Sequence, residues 1–87
     1  MKIKDGFILR DVGGKTFVVA VGELSKTFGR MITLNETGAF LWKALEKGAT
    51  EESLTEALLD EYEVDKDTAS ADVKEFIEKI KEAKLLK

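Results

Sequence analysis

The sequence predicts an α+β protein: a three-stranded antiparallel sheet followed by three helices, arranged like a winged helix-turn-helix. Three observations carry this prediction. The first third of the chain is rich in β-branched and aromatic residues broken by glycines. From Glu36 onward, apolar residues recur at helical spacing instead. Strands come in one run and helices in the next, which is the α+β arrangement rather than the alternating α/β one. A length of 87 residues fits one domain over 1–87 with a single modest core.

The first strand is expected over Phe7–Val12 (FILRDV) and the second over Thr16–Val21 (TFVVAV). Gly13-Gly14-Lys15 lies between them, and paired glycines supply the positive φ of a tight hairpin turn. Gly22–Gly29 is polar and reads as an exposed loop. Arg30–Leu34 (RMITL) reads as a short third strand.

The first helix is expected from Glu36 to Lys47, with Asn35 as N-cap; Thr33 with Glu36 offers a competing capping-box frame. Gly48 should end it in a left-handed conformation. This helix is apolar nearly all round, so it should be central, with Phe40 and Trp42 as core anchors rather than ligand-stacking rings. The second helix is expected over Glu51–Tyr62 behind a Thr50 cap, burying Leu54, Ala57, Leu58 and Tyr62. The third should start at Lys66 or Thr68, after a cap at Asp65 or Asp67, and run to Ala83. Its stripe is Ala69, Val73, Phe76, Ile77, Ile80 and Ala83, and Leu85 and Leu86 should tuck back onto the core.

Composition excludes several function classes. There is no His and no Cys, which removes imidazole acid–base chemistry, disulfides and the usual zinc ligands. No metal, cofactor or catalytic residue is expected. The acidic residues cluster at helix ends and in turns, where a solvated surface and favourable helix termini explain them. No apolar run is long enough to span a membrane or act as a signal peptide, so a cytoplasmic protein is expected. The net charge of −3 disfavours nucleic acid and anionic membranes as partners. The last helix mixes its charges, with Lys74–Glu78 and Glu75–Lys79 spaced for i,i+4 pairing, unlike a DNA-recognition helix.

The third strand is the feature that points to binding. It is short, and if it pairs on one side only, it is an edge onto which another chain can add a strand. Two rival uses of the fold are a winged-helix DNA-binding regulator and a structural module that dimerises through this edge.

The segments LNETGAFLW (34–42), GATEESL (48–54) and YEVDKDTASADVKEFI (62–77) closely resemble the PqqD family. KEAKLL (81–86) also matches, with Lys84 where that family often has Gly, so the resemblance runs from Phe7 to Leu86. It implies a winged helix-turn-helix RiPP recognition element. This is a non-enzymatic chaperone that binds the leader of a ribosomally made precursor peptide and presents it to a modifying enzyme, often a radical SAM protein. The resemblance further implies strand addition along Arg30, Met31, Ile32, Thr33 and Leu34. The leader would then lie against Ala69, Asp72, Val73, Phe76 and Ile80 of the last helix, with Lys79 near an acidic leader. Val73, Phe76 and Ile80 have plain core packing as the competing role. PQQ synthesis is one pathway for such a protein, and a monomer or weak homodimer is expected.

Overall fold

A computed structural model describes residues 1–27 and 31–87. The sheet comes from β1 (Phe7–Val12), β2 (Lys15–Ala20) and β3 (Ile32–Leu34), in spatial order β1-β2-β3 with both pairings antiparallel. Gly13 and Gly14 have φ of 58° and 81°, the double left-handed conformation of a two-residue hairpin turn. The turn therefore excludes Lys15, which already pairs with Val12.

Between β2 and β3 the expected loop holds a single helical turn, α1 (Leu24–Thr27). The Ser25 hydroxyl donates to the Gly22 carbonyl at 2.6 Å, and the Ser25 and Lys26 amides bond back to Gly22 and Glu23. One turn is too short to show a helical period, so the sequence pattern gave no sign of it. The third strand is shorter than expected. Met31 precedes it, and Arg30 lies outside the described residues.

Three helices follow: α2 (Glu36–Glu46), α3 (Glu51–Glu61) and α4 (Lys66–Glu82). Each N-cap is a side-chain oxygen on the third amide of its helix. Asn35 Oδ1 accepts from Gly38 N–H at 2.8 Å, Thr50 Oγ1 from Ser53 N–H at 3.0 Å, and Asp65 Oδ1 from Thr68 N–H at 2.7 Å. The competing Thr33–Glu36 frame is thereby excluded, since Thr33 remains in the strand. Gly48 follows α2 with φ of 92°, as the cap pattern requires. Lys84 holds the corresponding position after α4, at φ 62°, a conformation that costs a side-chain-bearing residue about 1 kcal/mol.

The pleat sends Phe7, Leu9, Val18, Ala20, Ile32 and Leu34 to one face of the sheet. Phe7, Val18, Ile32 and Leu34 join the core with Leu41, Trp42 and Leu45 of α2, Leu54 and Leu58 of α3, and the α4 stripe. The other face leaves Ile8 and Val12 exposed. Trp42 is fully buried, while Phe40 is only half-buried and meets Tyr62 edge-to-face, ring centroids 5.6 Å apart. Tyr62 closes α3 with an extended backbone instead of continuing it, so the helix ends one residue earlier than its apolar stripe suggests.

The chain ends meet. Ile3 bridges Leu86, Lys4 N–H donates to the Leu85 carbonyl at 2.8 Å, and Lys87 N–H donates to the Lys2 carbonyl at 2.9 Å. Ile3 and Leu85 are both buried, so the tuck expected of Leu85 is matched by an N-terminal strand piece that the sequence pattern did not signal.

Candidate functional site

The site is built around β3. Its alternation is simple: Ile32 and Leu34 are buried and Thr33 is exposed. The two apolar side chains hold the strand to the core. The strand pairs with β2 through Ile32–Val18, Thr33–Phe17 and Leu34–Thr16. Among the described residues no strand pairs with its other side, which makes it an edge.

Asn35 and Gly38 fix the end of that edge. A Cβ built at Gly38 would come within 3.2 Å of Asn35 Oδ1 and 3.4 Å of Leu34 Cβ. Glycine therefore lets the first turn of α2 sit tightly under the strand's last residue. The junction from Leu34 to Gly38 is a rigid corner with no reactive group in it.

A groove of about 1010 Å³ opens beside this corner. Thr33, Leu34 and Asn35 line it, together with the first turn of α2, Phe40 and Tyr62. α4 supplies a wall of Asp72, Glu75, Phe76 and Lys79, spaced at i, i+3, i+4 and i+7, which is one helical face. The tip of the β1–β2 hairpin contributes Asp11 and Lys15. The charges are mixed: Asp11, Glu36, Asp72 and Glu75 against Lys15, Lys43 and Lys79. Loss of hydration pushes the Tyr62 phenol above its ordinary pKa, helped by the Glu36 and Glu61 carboxylates.

Lys79 does more than line the wall. Its Nζ donates to the Thr33 carbonyl at 3.1 Å, crossing from α4 to the strand. The expected i,i+4 pairs Glu75–Lys79 and Lys74–Glu78 are not closed; among the described residues the ion pairs are Lys26–Glu23 and Lys87–Asp5. Exposed ion pairs gain little over hydration, so a strand carbonyl within reach is an adequate competitor.

The residues singled out in the sequence therefore separate. Thr33, Leu34, Asp72, Phe76 and Lys79 come together on the groove. Met31 is 68% exposed just ahead of β3, and Ile32 does not line the groove, its side chain being buried in the core. Ala69, Val73 and Ile80 are at 0% exposure and belong to the core, because the inner side of the α4 stripe packs against α3 and α2. The sequence pattern did not point to Glu75, Tyr62, Glu36, Lys43, Asp11 or Lys15. Glu75 was within reach of pattern reasoning, since it shares the face of Asp72 and Lys79. The hairpin residues were not, because their place depends on sheet register.

The sequence profile of the family described as coenzyme PQQ synthesis protein D (PqqD) matches residues 7–86. The chain belongs to the PqqD family. Two solved structures resemble this PqqD-family protein. One is TbiB1 in complex with the TbiA(beta) leader peptide, with a TM-score of 0.78 and 26% identity, covering 100% of this chain and 95% of that one. The other is lasso peptide synthetase B1 complexed with the leader peptide, with a TM-score of 0.72 and 20% identity, covering 93% and 89%; at that identity the likeness is one of fold. Comparison with curated proteins finds no match. Among the described residues no helix is long and apolar enough to cross a membrane.

Proposed function

We propose that this chain is a RiPP recognition element. As one domain over 1–87, it binds the leader of a ribosomally made precursor peptide by strand addition to β3 and presents the peptide to a modifying enzyme, often of the radical SAM class. The observation that carries this is the open edge of β3 with a side-chain wall beside it, in a chain whose fold follows TbiB1, solved with a leader peptide, over its full length. An added strand draws affinity from backbone hydrogen bonds, and the groove beside it reads alternate side chains. Binding and presentation need no catalytic group, metal or cofactor, and the role proposed is non-catalytic.

The exposed side of α4 alternates Lys74, Glu78, Lys81 and Glu82, which gives duplex DNA no basic surface, and a winged-helix regulator is not favoured. A cytoplasmic monomer or weak homodimer suits the role, without nucleic acid or membrane as partner. The test is an NMR titration of the isotope-labelled protein with candidate leader peptides. Shifts are expected at Met31–Leu34 and at Asp72, Glu75, Phe76 and Lys79. Binding that perturbs only β1 or the far ends of the helices would sink the proposal.

A further inference from the structure

The groove beside β3 has a neighbour. A second groove, of about 500 Å³, opens between the C-terminal half of α2 and the turn into α3. Phe40 and Lys43 line both. The period of the helix explains the sharing. Glu36, Phe40, Lys43, Ala44 and Lys47 fall at helical spacing, so one face of α2 runs from the first groove into the second. The two grooves differ in chemistry. The first is lined by charges of both signs. The second is lined by half-buried Ala44 and Ala49 over fully buried Leu54, with the exposed Lys43 and Lys47 beside them. Among the described residues no carboxylate lines it.

We infer that the second groove seats one apolar side chain of the peptide bound at β3, beyond the stretch that pairs with the strand. This rests on the strand-addition reading above and extends it to a separate subsite on the other half of α2. Continuity fixes the occupant. A peptide paired with β3 that runs on past Leu34 meets the first turn of α2, and the shared face of that helix leads over Phe40 to Ala44. From Asn35 to Ala44 the helix advances about 14 Å at about 1.5 Å per residue, a distance that extended peptide covers in about four residues. An apolar side chain seated there leaves water against Phe40, Ala44 and Ala49, whereas Lys or Arg would meet two ammonium groups with no lining carboxylate to offset them. The strand pairing also tethers this side chain, so seating it costs little further freedom.

The test is a displayed library of random peptides long enough to span both grooves, selected in parallel on the wild type, Ala44→Arg and Lys47→Glu. Ala44→Arg fills the second groove, and Lys47 is exposed, so Lys47→Glu leaves the core untouched. The wild-type pool is expected to show a second apolar position about four to six residues beyond the strand-pairing stretch, with Lys and Arg depleted beside it. The Ala44→Arg pool should lose that position and keep the strand-pairing one. The Lys47→Glu pool should keep the apolar position and admit Lys or Arg beside it. In a selected peptide, cutting the distal side chain back to Ala should weaken wild-type binding by about five- to tenfold and Ala44→Arg binding by less than about twofold. If melting shows that Ala44→Arg does not fold, the Lys47→Glu pool decides alone. Equal pools, or a wild-type pool with no second apolar position, would overturn the inference and leave strand addition standing. Failure of all three proteins to select any peptide would overturn both.

Discussion

The sheet has two edges, and they differ in length and in company. β1 runs for six residues and β3 for three, so by backbone length alone β1 is the better template for another strand. Yet of β1 only Asp11 touches the groove, and its outward Ile8 and Val12 lie open. β3 is short, pinned by two buried side chains, and flanked by one face of α4 and the first turn of α2. The contrast shows that unsatisfied backbone alone does not make a selective site. Any strand can pair with an edge; only a wall of side chains can tell one strand from another. The stiff corner at Asn35 and Gly38 adds pre-organisation, which lowers the ordering cost when a disordered peptide docks.

The two edges should respond differently to substitution. The largest effect is expected at Phe76, which is 6% exposed and serves core and groove together. Phe76→Ala should cost about 3 kcal/mol in chemical denaturation. Ile8→Ala at the other edge should stay within about 0.5 kcal/mol, since Ile8 is 37% exposed. Equal losses would erase the distinction between the edges. Asn35→Ala should remove about 1 kcal/mol through loss of the α2 cap. Peptide affinity should hold once the variant is folded, and a collapse of affinity in the folded variant would mean that Asn35 touches the peptide directly. Lys84→Gly, just past the end of α4, should raise stability by about 0.5–1 kcal/mol by relieving the left-handed backbone. Such a background would let damaging groove variants be measured while still folded.

The smallest effect expected is one of acidity. The Thr68 amide holds the Asp65 carboxyl below its ordinary 3.8. The folded state thus favours the charged form, and the cap's stabilisation is present above 3.8 and is lost as pH falls through the lowered pKa. Asp65→Asn keeps a capping oxygen but does not titrate, so its melting temperature should fall less steeply in that acid window. Identical acid profiles would show that the charge at this cap does not matter.

What was legible in the sequence was local. The caps at Asn35, Thr50 and Asp65 are side chains bonding amides three residues on, and Gly13-Gly14 and Gly48 mark turns that need positive φ. The α4 stripe was equally clear, because its period is set within the helix. Which residues of that stripe face the groove was not clear. Phe76 and Val73 are three residues apart, yet one lines the groove and the other lies wholly in the core, a difference set by how α4 packs against α3 and α2. Lys79 shows the limit most sharply. Local spacing assigned it to Glu75, whereas its partner is the carbonyl of Thr33, 46 residues away in the chain.

The pairing of Lys2–Lys4 with Leu85–Lys87 makes the chain nearly a closed loop. A short linker between the two ends would complete the circle, and the circle could then be reopened at the exposed Gly13-Gly14 tip without cutting any core element. The same closure means that, spliced into a host protein, the domain would enter and leave at one point, as a bead on a chain rather than a spacer within it.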